Sequence, residues 1–234
     1  MFSMFIKSFR FLFLFILSLI FSGCASEKAW KYGAEPLVLG QVSIIDKSVA
    51  VPPFDDQRKN ENSNNWALYL IPLMPYGWQD LNTPEGVNMH ATSTQWQWRP
   101  NEDIAKATAE EINHSGIFKE TFFSNRANDG DLVLQGTIIS TKYDGKMLSY
   151  GLSAYGPAFW FIGLPAASVS NDLVLQFKLE DRKNKKVIWQ KNYTENVSQL
   201  SWIYSLAADF QYSELLKKIL LNVVRDIKAE VPRY

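Results

Sequence analysis

Leu173-Val-Leu-Gln-Phe-Lys-Leu-Glu180, Asp181-Arg-Lys-Asn-Lys-Lys186 and Val187-Ile-Trp-Gln-Lys-Asn-Tyr-Thr194 form the continuous stretch that decides the fold. Leu173, Leu175, Phe177 and Leu179 alternate with Val174, Gln176, Lys178 and Glu180. A period of two puts the first set on one face of a strand and the second on the other. The polar link 181–186 is a turn. The return strand places Val187, Trp189 and Tyr193 on a shared face, so the two strands read as a hairpin with one buried side.

A buried sheet face needs a cover, and two helices supply it. From Tyr212 to about Glu230 the apolar residues Tyr212, Leu216, Ile219, Val223 and Ile227 follow helical spacing, and Pro232 stops the run. A second helix starts near Pro100-Asn101, with Glu102 and Asp103 where the dipole favours negative charge. Ile104, Thr108 and Ile112 make its buried stripe, and Gly116 is its left-handed cap.

Further strands are expected at Leu37 to Ile45, Ser48 to Val51 before Pro52-Pro53, Gln95 to Trp98, Phe118 to Phe123 and Asp131 to Thr141. Lys59 to Asn65 and Gln79 to His90 read as loops. The order strand, helix, several strands, helix predicts an α+β fold: an antiparallel sheet with two main helices packed on one face. Residues 37–234 form a single-domain sandwich, with no internal repeat and no domain-separating linker.

The N-terminus has a different grammar. Lys7 and Arg10 form a basic region and Phe11 to Phe21 an apolar run broken only by Ser18. The run is too short for a spanning helix, which needs about 20 residues. The segment Leu19-Ile20-Phe21-Ser22-Gly23-Cys24 resembles a bacterial lipobox, with Phe21 where an aliphatic residue is usual. The resemblance implies that residues 1–23 are a lipoprotein signal peptide and that Cys24 is acylated and becomes the N-terminus. It also implies an outer-membrane, periplasm-facing address, since no Asp follows Cys24. Cleavage there removes Lys7 and Arg10, leaving 22 cations against 24 anions. The lipidated tether, residues 24–36, reaches about 40 Å fully stretched, which keeps the domain beside its membrane.

Within the domain, the Ala50-to-Arg58 strand with its Asp-x-Arg ending, the Asn101-to-Phe118 helix closing in Ser-Gly-Ile-Phe, and the Asp131-to-Ile139 strand resemble a loose group of envelope lipoproteins. That group comprises lipopolysaccharide-assembly lipoproteins, the N-terminal domain of the Tol-system propeller protein and the curli-secretion lipoprotein. The resemblance implies a small α+β sandwich.

Composition narrows the chemistry. Lys+Arg and Asp+Glu are 24 each, so the chain carries no electrostatic footprint for nucleic acid. The one cysteine excludes a disulfide framework and Cys-based zinc. Thiol catalysis within the domain is excluded as well. Gly151-Leu152-Ser153-Ala154-Tyr155 departs from a nucleophile elbow at Tyr155, where a glycine is required. Asp55-Asp56 reads as a capped turn, His114 as a helix-end residue and His90 as solvated. No cofactor, no metal and no enzymatic activity are expected.

Two features exceed a generic domain. Trp66–Trp78 and Met147–Asn171 contain no charged residue, and both are aromatic and punctuated by glycine or proline. They either close the open face of the sheet or stay exposed as a patch for an envelope protein or for acyl chains. Trp66, Tyr69, Trp78, Tyr155, Phe159, Trp160 and Phe161 are the candidate contact residues. The hairpin turn carries Arg182, Lys183, Lys185 and Lys186, candidates for anionic head groups. The function expected is that of a lipid-anchored envelope accessory protein that binds an envelope protein in assembly or transport. The alternative is a lipid or glycolipid binder that holds acyl chains between the aromatic segments, helped by the basic turn.

Overall fold

The computed structural model describes residues 28–36, 43–87, 96–126, 129–204 and 210–231. The leader, Cys24, the strand-like run 37–42, His90, Gln95 and Pro232 lie outside these. In chain order the strands are β1 (Lys28–Ala29), β2 (Ile45–Val51), β3 (Asp55–Asp56), β4 (Asn62–Asn65), β5 (Tyr76–Leu81) and β6 (Trp96–Gln97). Helix α1 (Pro100–His114) follows, then β7 (Phe118–Phe123), β8 (Leu132–Ser140), β9 (Tyr143–Leu148) and the short α2 (Pro157–Phe161). The chain closes with β10 (Ala167–Asp181), β11 (Lys186–Ser201) and α3 (Tyr212–Glu230).

The main sheet is mixed, which corrects the antiparallel expectation. β2 runs parallel to β7 and to β8, and β3 parallel to β8, whereas β10 is antiparallel to β8, β9 and β11. The cause is α1: a helix between two neighbouring strands returns the chain to its starting end, so the strands on either side of it point the same way. Strand periodicity reports which face is buried and says nothing about direction.

The hairpin extends well beyond 173–194. β10 alternates buried and half-buried residues from Ala167 to Glu180, a length of about 45 Å. Along one side of β10, β9 pairs with residues 167–171 and β8 with residues 174–181. The sheet therefore has two wings, β4-β5-β9 on one half of the hairpin and β8-β2-β7 on the other. β4 and the last residues of β5 occupy stretches expected to be loops: the exposed Asn62–Asn65 strand pairs with Trp78–Leu81.

Both long helices lie over the half that ends in the 182–186 turn. Leu173, Leu175, Phe177 and Leu179 are fully buried against Leu216, Ile219, Leu220 and Val223 of α3, with Ile104, Thr108 and Ile112 of α1 in the same core. Phe54 meets Phe177 edge to face at 5.6 Å. A Cβ on Gly136 would stand 2.1 Å from the Phe54 ring, so only glycine leaves room. Val187 faces solvent rather than sharing the buried face of Trp189 and Tyr193. A register shift pairs it with outward-facing Glu180 while Trp189 stays opposite Leu179.

The two halves meet at Thr141, which is fully buried. Its hydroxyl accepts from Arg58 Nη1 at 2.6 Å and donates to the Asn82 carbonyl at 3.0 Å. Its carbonyl accepts the Tyr212 hydroxyl at 2.9 Å.

The tether is no free leash from Trp30 onward. Trp30 stacks on Trp98 and Trp98 on Tyr212, at 6.3 and 4.7 Å between centroids. Buried Glu111 accepts the Tyr32 hydroxyl at 2.8 Å and the Glu35 N–H at 3.1 Å, and Lys217 pairs with the Glu35 carboxylate at 2.8 Å. Burial first, then the bond to Glu111, holds the Tyr32 hydroxyl far above its ordinary pKa.

Candidate functional site, an apolar end built from two uncharged segments

Residues 66–78 and 147–171 come together at the end of the hairpin opposite the 182–186 turn. Trp66–Leu70 forms a 3-10 turn that leads through Pro72 and Pro75 into β5. A Cβ on Gly77 would lie 2.5 Å from the Trp66 carbonyl and 2.9 Å from the Tyr69 Cβ, so glycine lets the turn lie flat on its own strand. The second segment leaves β9 at Leu148, makes a 3-10 turn at Ser153–Tyr155 and the short helix α2, and enters β10.

The segments interlock. Leu73 N–H donates to the Gly151 carbonyl at 2.8 Å, Ser149 N–H to Pro75 at 2.9 Å and Ser149 Oγ to Met74 at 2.5 Å. Ser153 Oγ donates to the Leu70 carbonyl at 2.6 Å, which commits the hydroxyl of the elbow-like motif to structure. Trp160 Nε1 donates to Leu148 at 2.9 Å, Tyr150 hydroxyl to Pro165 at 2.6 Å and Tyr204 hydroxyl to Phe161 at 2.9 Å. Rings fill the interior: Tyr69 tilts against Trp160 at 6.3 Å, and Tyr150 against Phe159 at 5.5 Å.

The seven aromatic candidates divide. Trp66, Tyr69, Trp78, Phe159 and Trp160 are half-buried and knit the end together, while Tyr155 and Phe161 are 80% and 68% exposed. Outside the candidate set lie Leu73, the most exposed large apolar side chain among the described residues at 89%, and Ile162, Leu70 and Tyr204, all above 60%. The missing signal is backbone conformation. Leu73, Tyr150 and Ser153 sit at φ 71°, 56° and 52°, in the left-handed region that branched or bulky residues avoid. This end therefore holds strained backbone by hydrogen bonds and turns apolar side chains outward.

Arg182, Lys183, Lys185 and Lys186 are exposed at the other end of the 15-residue strand. Arg182, Lys183 and Lys185 line, with Lys47, Asp131, Asp181 and Asn184, an open cleft of about 700 Å³. The N–H groups of Asn184 and Lys183 hold the Asp181 carboxyl below its ordinary pKa. The basic turn and the aromatic segments cannot grip one small lipid together. The segments also pack on each other rather than standing apart as walls of an acyl groove.

Asp55 and Asp56 do not converge on a shared site. Asp56 binds Arg58 through both carboxylate oxygens, at 2.9 and 2.7 Å, and Glu85 binds the same guanidinium at 2.6 and 3.0 Å. The Arg58 side chain is 3% exposed, and its bonds hold the Asp56 carboxyl below its ordinary range. The Asp-x-Arg ending is thus a brace. His114 Nδ1 lies 2.7 Å from the Glu35 carbonyl at the edge of the docked tether. Among the described residues no group of three or more His, Cys, Asp or Glu could hold a metal, and no helix is long and apolar enough to cross a membrane.

No family model matches the chain, and no curated protein matches it. Among solved structures it is similar to protein XCC0632 of family DUF330 from Xanthomonas campestris, at 13% identity and a TM-score of 0.47, over 86% of this chain and 93% of that one. It is also similar to the PelC dodecamer from Paraburkholderia phytofirmans, in two crystal forms. Identities there are 13% and 14%, TM-scores 0.37 and 0.36, and coverage is 81% of this chain and 92% and 94% of those. At these identities and TM-scores the likenesses assign neither a family nor a function.

Proposed function

We propose that this chain is a non-enzymatic accessory lipoprotein of the bacterial cell envelope, anchored through Cys24, whose apolar end is its contact surface for an envelope component during assembly or transport. That component is an envelope protein or lipid. The observation that carries the reading is the coalescence of two charge-free segments into one hydrogen-bonded surface. Its Leu, Ile, Phe and Tyr side chains point into solvent, and exposed apolar patches of this kind mark contact sites.

Two measurements test the proposal in cells. Palmitate labelling and membrane fractionation of the full chain against Cys24→Ala should show label and membrane retention lost together. A photoreactive residue at Tyr155 should capture an envelope protein or a lipid. A product that is unacylated, freely soluble and uncaptured overturns the reading.

A further inference from the structure

The docked tether carries the reading of the apolar end further, to the identity of what it touches. The tether runs along α1 from Trp30, stacked on Trp98 just ahead of the helix, to Glu35, bound beside Glu111 and His114 at the helix C-terminus. Followed backwards toward Cys24, the chain therefore leaves α1 from its N-terminal side, away from the basic turn. Trp30 belongs to the ring stack Trp30–Trp98–Tyr212, and the Tyr212 hydroxyl bonds the carbonyls of Thr141 and Lys142, where β9 begins. From there β9 runs about 17 Å to the apolar end. Lys28–Ala29 is paired with β6, and four residue steps separate Lys28 from Cys24, a reach of about 14 Å. An anchor at Cys24 and the apolar end thus fall within reach of one plane.

The chemistry of the surface agrees. The polar groups of Ser149, Tyr150, Ser153, Trp160 and Tyr204 are all bonded to carbonyls of this same end or its rim. What it offers outward is hydrocarbon with few free donors. Protein–protein interfaces carry roughly one hydrogen bond per 100–200 Å², which such a surface is poorly equipped to supply. A bilayer boundary asks for none. Neither segment brings a charge to be desolvated, and the four cations of the turn stand about 45 Å away along the hairpin.

We infer that the apolar end is seated in the interface of the bilayer that holds the Cys24 acyl chains, with Leu73, Tyr155, Phe161 and Ile162 inserted and the 182–186 turn directed away. The inference rests on the lipoprotein reading for its anchor and on the exposed end for its seat, and the test separates them. The full processed lipoprotein is reconstituted into phosphatidylethanolamine/phosphatidylglycerol vesicles. A nitrobenzoxadiazole label is attached through Leu73→Cys, Phe161→Cys or Asn184→Cys, and palmitate incorporation is measured on the same preparations.

Labels at 73 and 161 should shift to the blue and be quenched by brominated acyl chains about threefold more than the label at 184. Labels at 73 and 161 that behave like the one at 184 overturn the seat. Labels that are shielded yet unquenched also overturn it, because a second copy of the chain then covers the end. A preparation without palmitate that still shows quenching at 73 and 161 supports the seat and removes the anchor. An acylated preparation without quenching does the reverse.

Discussion

The two halves of the long hairpin are built by different rules. Near the 182–186 turn, alternating residues of β10 and the stripes of two long helices fill one buried layer, and charged side chains other than Glu111 stay mostly at its surface. At the other half the helices stop. Turns, one five-residue helix and three non-glycine residues at positive φ close the sheet, and the side chains that would complete a core point outward. The first half derives its stability from repetition. The second is held by individual hydrogen bonds between two segments about 80 residues apart in sequence, such as Ser153 to Leu70. Stability and surface chemistry are therefore separable in this molecule, one concentrated at each end.

The sharpest break of that comparison is Phe177→Ala, which empties a fully buried site beside Phe54 and Tyr193. It should cost about 3–5 kcal/mol in urea unfolding. Arg58→Ala strips Asp56, Glu85 and Thr141 of their shared partner and should cost about 3 kcal/mol. Glu111→Ala should cost about 2 kcal/mol. Its more telling readout is amide exchange: residues 32–35 should lose protection while β10 keeps it. Gly77→Ala should cost about 1–3 kcal/mol by lifting the 3-10 turn from β5, with exchange rising across 66–78 and 149–153 only. At the small end, Phe161→Ala should change stability by less than about 0.5 kcal/mol while removing part of the proposed contact surface. A loss comparable to that of Phe177→Ala would show that the apolar end is core.

Acid sharpens the same contrast. The carboxyls of Asp56 and Asp226 have folded pKa values below their ordinary one, through bonds from Arg58 and from Lys191 with Tyr193 respectively. A lowered folded pKa gives stability that is complete above the unfolded value and is lost as pH falls through the folded one. Thermal midpoints should thus fall below about pH 4. The charge-free segments contribute nothing to that slope.

Periodicity made the first half legible. α1 begins at Pro100 and reaches His114, α3 spans 212–230, Phe118–Phe123 is a strand, and Gly116 adopts φ 63° as the left-handed cap. It failed where strength comes from pairing rather than pattern. Asn62–Asn65 is polar throughout and becomes a strand because β5 offers it an edge. Parallel pairing around β2 depends on how α1 routes the chain, which no local window contains.

Of the candidate site, the two segments were legible as charge-free runs, and Tyr155 and Phe161 within them are exposed. Leu73 was not legible: its exposure follows from a left-handed backbone fixed by Gly151, nearly 80 residues away. The docked tether was equally hidden, because its partner Glu111 looks in sequence like any helix-surface glutamate.

The joint at Thr141 bears on how the two ends are connected. β10 and β11 pass through both halves without interruption, while each wing grips only its own stretch of β10. This ribbon is common to both ends, and the wings change over at one pivot, where β8 gives way to β9. At that pivot a single hydroxyl joins Arg58 to the carbonyl after β5, and the adjacent carbonyl receives the first residue of α3. Thr141 is thus the residue whose hydroxyl and carbonyl tie Arg58, the end of β5 and the start of α3 together.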